Sequence, residues 1–214
     1  MSEDLQPLIR GILRVALYSA LTAAAFGIMY MDAVTTGQFT ESSAVEITQS
    51  LVLFVITVIF VISARKIPAL QNSAWLLATF TAASLVREND ALLDSFIDET
   101  WEAIAFTIIA IGLYATWRHR KAFLAEQKIF TESTAFGLFV SALLTTYVFS
   151  SLFGMGKFWK AVMGDGFLRQ VKDMNEECLE LFGYTLLLCA AIEFIALARR
   201  TAAAAIEARK DGPE

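Results

Sequence analysis

The chain has 214 residues, 57% of them hydrophobic and only 18% charged, with a net charge of −5. So small a charged fraction, against about 25% in soluble proteins, excludes an ordinary water-soluble domain, and the acidic balance excludes a nucleic-acid binder built on basic patches. The length fits one domain, 1–214, immersed in a lipid bilayer.

Six apolar segments are each about long enough to cross a hydrocarbon core of roughly 30 Å at 1.5 Å per residue: 11–31, 44–64, 68–86, 99–117, 135–153 and 178–198. In lipid the backbone must satisfy its own hydrogen bonds, so all six are expected as helices. The fold class is therefore an all-α integral membrane protein, a six-helix bundle of three hairpins.

The first span carries Arg14 and a run Ala23-Ala24-Ala25 that imitates a signal-peptide cleavage site. Its acidic start, Met1-Ser2-Glu3-Asp4, and its full spanning length argue for a retained helix. The second span opens on Glu46-Ile47-Thr48-Gln49 and closes on Arg65-Lys66. Pro68 suits the first turn of the third, where a missing N–H costs nothing, and that span ends in Arg87-Glu88-Asn89-Asp90. These four residues resemble the Arg-Glu-x-x-Glu motif of iron permeases. The last acid stands one position early, is Asp, and has no second copy, so no function follows from the likeness.

The fourth span opens on Glu99-Thr100-Trp101-Glu102 and leads into the basic connection Arg118-His119-Arg120-Lys121, expected to be short. His119 is the sole histidine of the chain, which argues against histidine-ligated haem or zinc in the membrane. The fifth span is followed by the longest outer segment, 154–177. It mixes bases and aromatics at Lys157-Phe158-Trp159-Lys160 in the manner of an interfacial amphipathic stretch, and Gly164-Asp165-Gly166 is expected to break it. An ordinary loop over the bundle fits the same residues. The sixth span begins after Glu177, continues Cys178-Leu179-Glu180, and carries Cys189 and Glu193. The two cysteines lie roughly 16 Å apart along one helix, beyond disulfide reach. The inner tail, 199–214, is Ala-rich and helix-favouring until Asp211-Gly212-Pro213-Glu214, which is expected to fray.

Charge is distributed unevenly. If the chain crosses six times, twelve of its 17 Lys and Arg residues fall on one side, including Arg10, Arg14, Arg65, Lys66, Arg118, Arg120, Lys121, Lys128, Arg199 and Arg200. The positive-inside rule places both termini in the cytoplasm. With no organelle-type signal, the expected location is a bacterial inner membrane.

The other side collects acids, and the second, fourth and sixth spans each open on acids or amides three residues apart. Glu46, Glu99, Glu102, Glu177 and Glu180, with Glu88 from the end of the third span, would converge on a cup if those helices meet. Arg87 would balance the charge. Oxygen ligands of this type suit a hard divalent cation, and crowded carboxylates can instead relay protons. Acids at these positions can equally be solvated helix caps, favoured there by the helix dipole. Deeper in the membrane, Glu193 and Arg14 are expected to form a structural pair joining the sixth and first helices.

The leading expectation is a small carrier or channel for a cation or a proton-coupled solute. A non-catalytic membrane subunit that scaffolds or regulates a partner protein fits the size equally well. A carboxylate-dependent intramembrane lipid enzyme lacks any nucleophile motif. No catalytic residue is assigned, and homo-oligomerisation fits a chain of this size.

Overall fold

A computed structural model describes residues 5–35, 37, 43–95 and 100–210, which are almost entirely helical, with short turns and connections between the helices. In chain order the helices are α1 (Leu5–Thr35), α2 (Ala44–Lys66), α3 (Gln71–Glu88), α4 (Asp90–Asp94), α5 (Thr100–Arg118), α6 (Arg120–Phe130), α7 (Thr134–Leu143), α8 (Ser150–Phe153), α9 (Gly156–Met163) and α10 (Arg169–Lys210). A 3-10 turn, Pro68–Leu70, leads into α3, and a π turn, Leu144–Phe149, joins α7 to α8. Five stretches are long and apolar enough to cross a membrane: α1, α2, α5, the α7–α8 run and α10. The third apolar segment, 68–86, is not among them. Its helix carries Gln71, Asn72 and Ser73 at one end and Ser84, Arg87 and Glu88 at the other, which dilutes its apolar character.

Two stretches read as connections are helical. The basic connection folds into the eleven-residue α6. The outer segment 154–177 forms α9, then breaks at Gly164, whose φ of +56° suits glycine, and finally joins α10. As a result α10 runs for 42 residues, about 63 Å at 1.5 Å per residue, twice the thickness of a hydrocarbon core. The acidic start and the expected frayed end, Asp211–Glu214, lie outside the described residues, as does Glu99.

The middle of α10 is the most enclosed part of the bundle. Tyr184, Leu187, Ala191 and Phe194 are fully buried, against Leu53, Ile56 and Phe60 of α2 and against α7, while Leu181, also fully buried, packs with Ala25 and Val45. Phe194 meets Phe60 and Phe130 edge-on, at ring-centroid distances of 5.4 and 5.5 Å, an arrangement favoured by ring quadrupoles. Small residues allow close helix approach where no hydrophobic effect pulls helices together. Gly183 is the sharpest case, since a Cβ there would strike the Thr146 side chain of the π turn. By contrast α1 and α5 expose most of their apolar residues, among them Leu13, Val15, Phe26, Phe106, Ile111 and Leu113. Such a surface is a liability in water and a proper solvent contact in lipid.

A buried carboxylate fixes the start of α3. Glu126 of α6 is 7% exposed. It accepts hydrogen bonds from the backbone N–H groups of Asn72 (3.1 Å) and Ser73 (2.7 Å), from Asn72 Nδ2 (2.7 Å) and from the Ser73 hydroxyl (2.8 Å). It thus does from a distance what an N-cap side chain does locally, satisfying orphan donors and complementing the helix dipole. Glu126→Ala strips four donors of their acceptor. It is expected to destabilise the protein by roughly 2–3 kcal/mol, read as a lowered unfolding temperature in detergent, with Glu126→Gln losing less.

Candidate functional site

At the acidic end of the bundle α2, α3, α4 and α10 surround an open cavity of 1280 Å³. Its walls carry Glu46, Glu88, Asp90, Asp173, Glu176, Glu177 and Glu180 against Arg87, Arg169 and Lys172. The bases divide between rim and floor. On the rim Lys172 binds Glu176 at 2.6 Å and Asp173 at 2.9 Å, and Arg169 reaches Asp173 at 3.5 Å. Those pairs, partly open to solvent and all along one helix, contribute little to stability.

The floor is different in kind. Glu180 is only 6% exposed. It accepts a hydrogen bond from the Ser150 hydroxyl at 3.1 Å and faces Arg87 at 3.8 Å, so α10, α8 and α3 meet on one carboxylate. Arg87 keeps 43% of its side chain exposed and stacks over the Tyr147 ring at 5.6 Å, a cation–π contact. Tyr147 is held in turn by donating to Ser84 Oγ at 2.7 Å. Beside it Tyr184, fully buried, donates to Glu88 Oε1 at 2.6 Å. Glu88 stands past the apolar part of α3. Burial pushes its carboxyl above the ordinary carboxylate range, while the Tyr184 hydrogen bond and the Arg87 charge pull the other way. Gln49, with no exposed surface, donates its amide to both Glu177 Oε2 (3.0 Å) and Glu177 O (3.2 Å), locking that acid against α2.

The structure thus brings Glu46, Glu88, Glu177, Glu180 and Arg87 into one cavity. Glu102 is not among its lining residues. It is exposed on α5, which packs against α3, α4 and α6. Ser150, Tyr147 and Tyr184 do not stand out as site residues in the sequence, yet together with Gln49, the amide of the second span's motif, they orient the acids. Tyr184 is legible in retrospect: it lies four residues after Glu180, on the same helical face.

Chemically, the floor gathers three carboxyl groups, Glu88, Glu177 and Glu180, around one guanidinium, that of Arg87. Arg87 is close enough to act on Glu88, Glu177 and Glu180 alike. Among the described residues no three His, Cys, Asp or Glu side chains are grouped to hold a metal ion; each floor carboxylate has its own protein partner.

At the basic end Arg14 Nε lies 2.9 Å from Glu193 Oε1, and the Tyr18 hydroxyl donates to the same oxygen at 2.5 Å. Glu193 is 5% exposed. Between it and the cup lie Leu187, Ala190 and Ala191, all buried, so a packed apolar layer of α10 separates the two polar sites. Compared with family models, with curated proteins and with solved structures, the chain matches none.

Proposed function

We propose that the protein is a small multi-pass carrier for a cation or a proton-coupled solute, seated in a bacterial inner membrane with both termini cytoplasmic. In this reading α3 is the sixth crossing, the acidic end faces outward, and the cavity is the outward-open state. Glu180 is the principal binding group. Glu88, Glu177 and Glu46 set the negative potential around it, and Arg87 holds its charge when no cargo is present. One observation carries the proposal: a buried carboxylate on the floor of an open cup, facing a half-exposed arginine from another helix. An ionisable group placed so deep is a costly feature for a membrane protein without a transport or relay role. The individual protein partner of each acid favours protons or weakly held cations over a chelated divalent ion.

The test is the unfolding temperature of the purified protein across pH and in sodium, potassium, magnesium and calcium, for wild type, Glu180→Gln and Glu102→Gln. A cation-specific or pH-specific stabilisation present in wild type and Glu102→Gln, and absent in Glu180→Gln, is expected. Identical profiles for all three proteins would reduce the acids to solvated caps and sink the proposal.

A second reading has its own observation. An apolar crevice of 350 Å³ lies between α1, the α8 region and α10, lined by Ala25, Phe26, Met29, Phe149, Phe153 and Phe182 among others. A non-catalytic subunit that receives a partner's helix would offer such a face, and a stoichiometric protein partner on co-purification would favour it.

A further inference from the structure

The basic end carries a feature that the transport reading leaves unused. Helix α6 joins the last residue of α5 to the first turn of α7, and it is bound through Glu126 and Gln127 to the first turn of α3. It therefore lies where α3, α5 and α7 begin or end, which in the six-crossing reading is the depth of the lipid headgroups. Its inner face is Phe123, Glu126, Gln127 and Phe130. Its outer face has no protein cover: Arg120, Lys121, Leu124 and Lys128 are all exposed. At about 100° per residue, Lys121 and Lys128 project about 20° apart, and Leu124 falls between them and Arg120. Just before the helix stand Trp117 and Arg118, both exposed, with the Arg120 guanidinium 5.1 Å from the Trp117 ring centroid. Among the described residues none of Arg118, Arg120, Lys121 and Lys128 pairs with a carboxylate. Glu132, in the turn after α6, reaches none of them.

We propose that α6 is a binding site for anionic phospholipid headgroups: Arg120, Lys121 and Lys128 hold the phosphates, Leu124 enters the upper acyl region, and Glu126 passes the restraint to the start of α3. A basic amphipathic helix with an apolar residue inside its cationic face is built for that interface. Unpaired cations at this level gain from the negative lipid surface. The aromatic Trp117 suits the same layer. Because α3 carries Arg87 and Glu88 at its other end, the lipid grips the helix that forms one wall of the cup. The inference does not depend on what the cup transports.

The experiment titrates phosphatidylglycerol into the full-length protein held in phosphatidylcholine nanodiscs and follows the unfolding temperature. Wild type is expected to rise with phosphatidylglycerol, and the rise to shrink in high salt. Each cation removed is expected to weaken the apparent affinity about five-fold, so Arg120→Gln/Lys121→Gln/Lys128→Gln loses on the order of 100-fold. All three side chains are exposed, so the variant keeps its fold in phosphatidylcholine alone; should it not, Lys121→Gln/Lys128→Gln is read instead, with an expected loss of about 25-fold. Arg65→Gln/Lys66→Gln, at the same end but off α6, keeps wild-type affinity. Equal loss in that control would mean diffuse attraction to the basic end and would overturn the site. So would stabilisation by free glycerol phosphate at the same concentration, which would make it a soluble-anion site, or an unchanged response in the α6 variant.

Discussion

Proteoliposomes bearing Glu180→Gln are expected to lose proton or cation flux by on the order of 100-fold, the factor that corresponds to roughly 3 kcal/mol of lost charge interaction at a buried site. The substitution is close to isosteric and leaves the Ser150 hydroxyl with an oxygen to donate to, so the packing of α10 against α8 survives. What disappears is, among the described residues, the one carboxylate that is both buried and part of the cavity lining. The measurement follows an internal pH dye, and in separate vesicles the uptake of sodium, potassium and magnesium, under an imposed gradient. Arg87→Gln is the informative companion. It leaves Glu180 buried without its 3.8 Å counter-charge, so the empty site is costly to carry across the membrane, and net flux is expected to fall while exchange of labelled cargo across both faces persists. Glu102→Gln, on an exposed position of α5, is expected to leave flux at the wild-type level. If Glu180→Gln transports normally, the carboxylate floor is a structural device and the carrier reading ends there.

Spacing told less than it promised at Glu102, and the reason is physical. Acids three residues apart say which helical face is polar at a helix start, but not which neighbour that face will meet. The motifs at Glu46-Gln49 and Glu177-Glu180 come together because α2 and α10 pack side by side. Glu102, from the third motif, ends up outside the cavity because α5 is placed against α3 and α4. Apolar length was the strongest signal, and it located the five stretches long and apolar enough to cross a membrane, to within a few residues at most boundaries. It was silent on the π turn at Leu144–Phe149, which depends on how closely Thr146 can approach Gly183 and so on a neighbouring helix.

Glu126 is hidden in the sequence because its surroundings, Arg118 to Lys128, read as a topogenic connection. The spacing Phe123, Glu126, Gln127 and Phe130 is nonetheless one face of a helix, with a carboxylate and an amide among the aromatics. A polar residue on an otherwise apolar face is the pattern that would have found both Glu126 and Tyr184. Each satisfies a buried partner on another helix, which no local rule supplies.

Arg14→Met is expected to destabilise the protein by about 3 kcal/mol, more than any single change at the rim of the cup, because it strands Glu193 at 6% side-chain exposure with only Tyr18 to donate to it. Glu193→Leu should cost less. Arg14 is 37% exposed and can extend toward the headgroups when its partner is gone. The decisive variant is the double, Arg14→Met/Glu193→Leu. Exchanging a buried ion pair for apolar groups of similar volume is commonly neutral or better, so thermal stability should return most of the way to wild type. What should not return in full is the register of α1 against α10: apart from buried Asp32, which accepts a hydrogen bond from Val45 N–H of α2 at 2.7 Å, α1 shows mostly exposed apolar surface with little to fix its height on α10. Ala25 of α1 packs with Leu181 of α10, so a cysteine pair at those positions reports that register by its crosslinking yield. A stable double variant with scattered crosslinking would mean that the pair selects one alignment of α1. A double variant as unstable as Arg14→Met would mean that the ion pair is itself a net source of stability, and the assignment of a register role would fall.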